Sequence, residues 1–321
     1  MERQAALRLA LVGKAGSITH WLEEAAAAWR GDGHEVRLAL VRRPWLAAPL
    51  ESALAGPIAK RLTAGIDRFA PDLILAIGAF HVPPPLLAAI AAMPGRPPLV
   101  GWVGDVFDAT AAARAALYDL LAYADRALLE RHRALGFTSA AMYLPHAVNP
   151  HGLAPMADFA ARAERMVFVG NPTPLRRAII EAINAPAALY GPGWKRSQRH
   201  EAHPGRLAAA RAPEVLAAHR FALNIRNELN VLTGLNQRNF QPCAAGATLL
   251  TDDQPDLAAC FEPGAEVLVW RDTDELNALY AKVRREPGFA AVIAARGRAR
   301  VMAEHTYAHR LANLTAALGS S

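Results

Sequence analysis

Short apolar runs alternate along the chain with stretches whose apolar positions recur at helical spacing. The run at 7–12 ends in a glycine turn, GKAGS at 13–17. A helical pattern then fills 18–29, Gly31-Asp32-Gly33 closes it, and 35–41 supplies a second strand. Strand, tight turn, helix and returning strand make a βαβ unit, which requires a parallel sheet. The unit recurs with a helix over 53–69, a strand at 72–78, a helix over 83–93 and a strand at 99–103. The strand at 72–78 (DLILAIG) is apolar enough to be covered on both faces. The spacing next predicts a helix over 111–122, a short strand at 126–129, a helical turn at 131–135 and an apolar run at 141–144.

The segment Pro145-His146-Ala147-Val148-Asn149-Pro150 carries two prolines and no periodicity, which marks a linker over about 145–164. A second series begins at 166–170 (MVFVG), with a helix over 175–184 and a strand at 187–190. After a polar, arginine-rich stretch come a strand at 221–225, a helix over 236–245 and a strand at 247–251. A helix over 256–261, a strand at 266–270 and a helix over 273–285 follow, and 289–318 reads as largely helical. The fold class expected is therefore α/β, in two Rossmann-like halves, with ligands at the carboxyl ends of the strands and between the halves.

The 321 residues suit two domains at roughly 150 residues each, one over 1–150 and one over 164–300. A hydrophobic share of 53% against 20% charged excludes a disordered chain. The longest apolar runs fall short of the roughly 20 residues of a bilayer span, and 1–11 has no signal-peptide pattern, so a cytoplasmic protein without a transmembrane segment is expected. Cys243 and Cys260 are too few for a disulfide framework or a four-ligand zinc site. The net charge of +6 suits an anionic ligand. The basic residues are scattered without a recognition motif, which argues against nucleic acid.

GKAGS fits neither GxxxxGK[ST] nor GxGxxG, so it supports no ATP cradle and no dinucleotide fingerprint. His20, just inside the helix that follows, is a candidate general base or a plain surface histidine. Asp105 ends the strand in GWVGD, where ligands approach a parallel sheet, and is the preferred base; a carboxylate there also often caps the next helix. Asp108 reads as that cap, and His81 follows a strand end with no partner legible in sequence.

In the second half, Gly170-Asn171 opens a loop running to Arg176, whose backbone N–H groups and guanidinium suit phosphate oxygens. Tyr190-Gly191 through Trp194-Lys195 ends the next strand with glycines, an aromatic and a cation. Arg226 and the run Asn236, Arg238, Asn239, Phe240 and Gln241 pack amides and guanidinium groups after a buried strand, which is costly unless they bind something. Amides read hydroxyls and base edges, and arginine neutralises diphosphate, so a sugar nucleotide would use them all.

The ordered motifs FVGNPTPLR (168–176), LYGPGW (189–194), LNIR (223–226), NQRNFQPCAAGATLLTDD (236–253) and GRARVMAEHTYAHR (297–310) resemble the C-terminal domain of GT-B glycosyltransferases. Among these they are most similar to the CgeB-like (spore-maturation-type) group of the glycosyltransferase family 1 clan. The resemblance implies two Rossmann-like domains facing a cleft, with a nucleotide-diphosphate-sugar donor on the C-terminal one and an acceptor on the N-terminal one. It also implies that 301–321, with His305, Tyr307 and Arg310, crosses back to the first domain as a helix. No cofactor and no catalytic metal are implied; Arg176, Lys195 and Arg238 would neutralise the leaving diphosphate. One position departs from the pattern: relatives carry a ribose-binding glutamate where this chain has Gln241. The activity implied is sugar transfer to an acceptor of unspecified kind, with a sugar-nucleotide epimerase and a silent nucleotide-sugar-binding or assembly protein as alternatives.

Overall fold

The computed structural model describes residues 5–16, 19–41, 48–195 and 199–319. The chain divides into two compact units, Met1–Pro145 with Arg310–Ser321, and His146–His309. Ser17 of the GKAGS turn and Ile18 of the predicted first helix lie outside the described residues.

The first unit runs β1 (Arg8–Lys14), α1 (Thr19–Gly31), β2 (Glu35–Val41), α2 (Ala48–Phe69), β3 (Leu73–Ile77), α3 (Pro84–Ala91) and β4 (Leu99–Val103). It continues with α4 (Ala112–Ala115), β5 (Leu120–Tyr123), α5 (Arg126–Ala134) and β6 (Ala140–Tyr143). The six strands are all parallel in the order β2-β1-β3-β4-β5-β6. Every residue of β3, β4 and β5 is buried, as strands covered on both faces require. Two predicted elements are corrected here. Leu120–Tyr123 is a strand where a helix to 122 was expected, and Arg126–Ala134 is a helix where a strand was expected. Asp125 decides the second: its side chain accepts the Ala127 N–H and caps the helix start.

The second unit runs β7 (Met166–Val169), α6 (Pro174–Ala182), β8 (Ala187–Tyr190), β9 (Glu201–His203), α7 (Ala212–Ala217), β10 (Phe221–Asn224) and α8 (Gln237–Ala244). It ends with β11 (Thr248–Asp252), β12 (Leu268–Trp270), α9 (Thr273–Arg285) and α10 (Pro287–Glu304), and α11 (Tyr307–Gly319) follows. Its parallel sheet has the order β12-β11-β10-β7-β8-β9, so the chain reverses direction across the sheet between β7 and β10. Alternate residues enter different apolar clusters. Met166, Phe168, Phe221, Leu223 and Leu250 belong to one; Val167, Ala222 and Leu249 belong to the other. The expected helix at 256–261 is only a 3-10 turn, Leu257–Ala259. The helical stretch 289–318 is two helices, α10 and α11, separated at His305 and Thr306. No helix among the described residues is long and apolar enough to cross a membrane.

Candidate functional site

In a sheet of this order the point of reversal leaves a crevice at the carboxyl ends of the two strands, because their connections depart in opposite directions. In the second unit those strands are β7 and β10. The residues following them are held by one connected set of bonds. Asp252, ending β11, accepts the Arg226 N–H on both carboxylate oxygens (3.2 Å each), an Asn224 amide hydrogen (3.2 Å) and a Gln254 amide hydrogen (2.9 Å). The anchored turn presents the Ile225 carbonyl, which receives both Nε (3.1 Å) and Nη2 (3.0 Å) of Arg176, while Nη1 donates to the Asn171 carbonyl (2.9 Å). Arg176 also lies over the Phe168 ring and is 2% exposed.

Arg176 thus bridges the ends of β7 and β10 as a clamp, through three of its five N–H donors. The Gly170–Arg176 loop is tied into the same framework. The Gly170 N–H donates to the Tyr190 carbonyl, and Trp194 Nε1 donates to the Gly170 carbonyl (2.7 Å). The first turn of α6 is occupied: Thr173 accepts the Arg176 N–H, and Glu228 accepts the Leu175 N–H (3.1 Å) and the Thr173 hydroxyl (2.7 Å). Burial opposes ionisation of Glu228, yet the bonds from Thr173 and Leu175 and the charge of Arg176 together hold its carboxyl below the usual range. A carboxylate already seated at that N-terminus repels a second anion.

At α8 the balance of charge is different. Asn236 caps the helix, accepting the Arg238 N–H (2.8 Å), and Asn239 reciprocates by accepting the Asn236 N–H (3.1 Å). Asn239 also donates to Thr251 Oγ1, and Phe240 is fully buried in the core with Phe261 and His305. These two side chains are spent on building the start of α8 and the core beneath it. Arg238 has a sealed Nε without a hydrogen-bond partner. Burial and the like charge of Arg176 push it down to about 9, with Asp252 opposing; burial pushes Arg176 to about 10. Asn236 Nδ2, Asn224 Oδ1 and Gln254 Oε1 are likewise buried and unpartnered. Two donors and two acceptors thus stand unused around the ends of β10 and β11, in a region that folding otherwise satisfies closely.

The remaining expected residues scatter. Tyr190 stacks on His203 with centroids 4.2 Å apart. Gly191 has φ +145°, and a Cβ there would stand 2.5 Å from the Gly170 carbonyl oxygen, so a close backbone approach explains this glycine. Trp194 packs edge-on against Phe168. Lys195 is exposed and does not figure among the charges acting on Arg176 or Arg238. Arg226 and Gln241 are half-buried.

In the first unit, a cavity of about 410 Å³ opens at the carboxyl ends of β3 and β4, lined by Asp105, His81, Asp108, Arg114 and Arg131 among others. His81 Nε2 lies 3.0 Å from Asp105 Oδ2, supplying the partner that the sequence did not reveal. Asp108 accepts the Thr110 N–H and hydroxyl as the expected cap, and those bonds, with Arg131 and Arg114 nearby, hold its carboxyl low. His20 is exposed on the first turn of α1 and does not line this cavity. Among the described residues no group of three or more His, Cys, Asp or Glu side chains is arranged to hold a metal ion.

Solved structures share the architecture. The chain is similar to Alr3699/HepE of Anabaena, in complex with UDP and glucose, at 12% identity over 98% of this chain and 100% of that one, with a TM-score of 0.71. It is similar to a sucrose-phosphate synthase from Thermosynechococcus elongatus at 12% identity, 98% and 99% coverage and a TM-score of 0.69. It also resembles the UDP-GlcNAc 2-epimerase of Neisseria meningitidis bound to UDP-GlcNAc, at 8% identity, 98% and 100% coverage and a TM-score of 0.57. Two six-stranded parallel sheets with flanking helices are the α/β architecture of GT-B glycosyltransferases. Residues 174–316 match the family model described as glycosyl transferase-like, and fold and domain together support a glycosyl-transfer enzyme. No curated protein matches the chain in sequence.

Proposed function

We propose that the chain transfers a sugar from a nucleotide-diphosphate donor, held by the second unit, to an acceptor held by the first. The observation that carries this reading is the buried, unpartnered Arg238 Nε beside a second guanidinium, at the point of sheet reversal within a glycosyl transferase-like domain. Two cations held close in a poorly solvated place favour an anion, and a leaving diphosphate develops charge there during transfer. Arg238 neutralises it together with the N-terminus of α8, and no metal is required. Asn236 Nδ2 and the free amide oxygens of Asn224 and Gln254 suit the hydroxyls of the donor, and Gln241 takes the ribose without the charge that a glutamate would bring. The order of the motifs from FVGNPTPLR to GRARVMAEHTYAHR supports the CgeB-like group within this class.

UDP-sugars are the first donors to test, since the similar HepE and epimerase structures hold UDP or a UDP-sugar. The experiment is turnover of a panel of UDP- and GDP-sugars by the full chain and by Arg238→Ala, with and without acceptors. Acceptor-dependent release of nucleoside diphosphate that Arg238→Ala loses supports transfer. Conversion of donor without an acceptor supports the epimerase alternative, and binding without turnover the silent one.

A further inference from the structure

We propose that the outer face of α2 and α3 in the first unit seats a second copy of this chain, with the two α2 helices antiparallel and Lys60 of each copy paired with Asp67 of the other. The transfer reading does not enter into it.

The inner faces of both helices are spent on the core, through Ala59 and Ile66 of α2 and Leu86, Leu87 and Ile90 of α3. Between their outer faces lies a cavity of about 490 Å³. Its walls are small or apolar groups, Gly56, Ala59 and Ala64 on α2 and Pro85, Ala89 and Met93 on α3. Packed interiors leave few voids larger than a water molecule, so this is a furrow held open between two helices and not a packing defect. Gly56 and Ala64 are exposed along it, and a Cβ built on Gly56 meets nothing within 4 Å. With so little beyond Cβ on the α2 wall, a third helix can approach at the short end of the usual separation of roughly 8–10 Å.

Two charges stand on the same wall. Lys60 and Asp67 line the furrow, are exposed, and make no side-chain hydrogen bond or ion pair among the described residues. Being two helical turns apart, they share one face of α2 and are separated by roughly 10 Å along its axis. An occupant therefore meets a positive group at one end of the strip and a negative group at the other. A second α2, laid antiparallel about a two-fold axis between Thr63 and Ala64, offers those charges in reverse order, so each lysine meets an aspartate. A parallel α2 would set lysine against lysine. The antiparallel pairing closes as a dimer, since the same strip serves both copies. Arg68 is the nearest like charge to Lys60 of the other copy, and its Nε is tied back to the Ala64 carbonyl of its own helix (3.2 Å). Each α2 then rests on both helices of its partner, which makes one four-helix cluster.

The size of the strip sets the strength of the pairing. With 22 residues α2 is about 33 Å long, and two neighbouring helices span roughly 20 Å, so each copy covers at most about 650 Å². The total of about 1,300 Å² lies at the small end of stable interfaces, which points to a reversible dimer with a micromolar Kd.

The test is sedimentation velocity of the full chain from about 1 to 100 μM, on wild type, Lys60→Glu, Asp67→Lys and the variant carrying both changes. The wild-type chain should pass from monomer to dimer over that range. Each single reversal sets like charges together at both contacts and should weaken association by about 100-fold or more. The double variant should return to within about tenfold of wild type, and so should an equimolar mixture of the two single variants, which pair only with each other. At about 1 μM, where the chains are monomeric, all thermal midpoints should agree to within about 2 °C, because neither side chain has a partner within its own chain. A wild-type chain still monomeric at about 100 μM, a dimer indifferent to both reversals, or single variants that fail to associate when mixed overturns the proposal. Capture of a monomeric wild-type chain by phosphatidylglycerol vesicles, lost in Lys60→Glu, would assign the strip to a membrane surface and overturns it equally.

Discussion

Arg176→Met separates a clamp from a phosphate ligand. The substitution keeps an apolar stem of similar reach against Phe168 but removes three hydrogen bonds, two to the Ile225 carbonyl and one to the Asn171 carbonyl. Each carbonyl left without a donor costs about 1–3 kcal/mol. The lost cation–π contact adds about 1 kcal/mol. Relief from burying a guanidinium, whose charge burial already disfavours, offsets part of this. The net expectation is a loss of about 3 kcal/mol, which lowers the thermal midpoint of a unit this size by about 6–12 °C. Urea denaturation followed by fluorescence and circular dichroism reads the change directly. Nucleoside-diphosphate affinity, extrapolated to the fraction folded, should fall by only about three- to tenfold, because a charge beside Arg238 is lost but no direct contact to the anion is. Unchanged stability with a large loss of affinity would refute the clamp and restore Arg176 as a direct phosphate contact.

Gly191→Ala forces a side chain into a positive-φ backbone and against the Gly170 carbonyl oxygen, and should cost about 3 kcal/mol in denaturant unfolding; a change below about 0.5 kcal/mol contradicts the close approach. His34, His132, His200 and His219 are held below the ordinary histidine range by burial. The unfolded chain therefore binds more protons below about pH 6.5, and stability should fall as pH drops from there through the folded-state values; a flat thermal midpoint between pH 7 and 5 contradicts this. Turnover should survive EDTA in the assay buffer, because the diphosphate is neutralised by protein groups; a loss restored by a divalent cation would remove that part of the reading.

The alternation of apolar runs and helical stretches was enough to read a doubly wound α/β chain, because strands buried on both faces need no partner-specific signal. It failed at Leu120–Tyr123, where an unbroken apolar run suits a buried strand or a helix equally, and where the cap at Asp125 was the better guide. The amide-rich segment was visible in sequence as an unusual density of polar groups. Its division into Asn239, spent on capping and Thr251, and Arg238, left with an unused Nε, depends on the pairing of β10 with β11. His81 and Asp105 are 24 residues apart, and the parallel register that sets Ile77 against Trp102 brings them together. Glu228 reaches the start of α6 from a segment 53 positions away. No local spacing encodes such a contact, so the occupied helix N-terminus was invisible before the fold was known.

The account turns on Arg238 as the cation that a donor diphosphate meets. Isothermal titration of UDP and GDP into the wild-type chain and Arg238→Ala tests it most directly. Saturable binding of at least one of the two, weakened by about 10–100-fold in a variant of unchanged thermal midpoint, is the result predicted. Equal affinity in both proteins, or no binding by either, would contradict it.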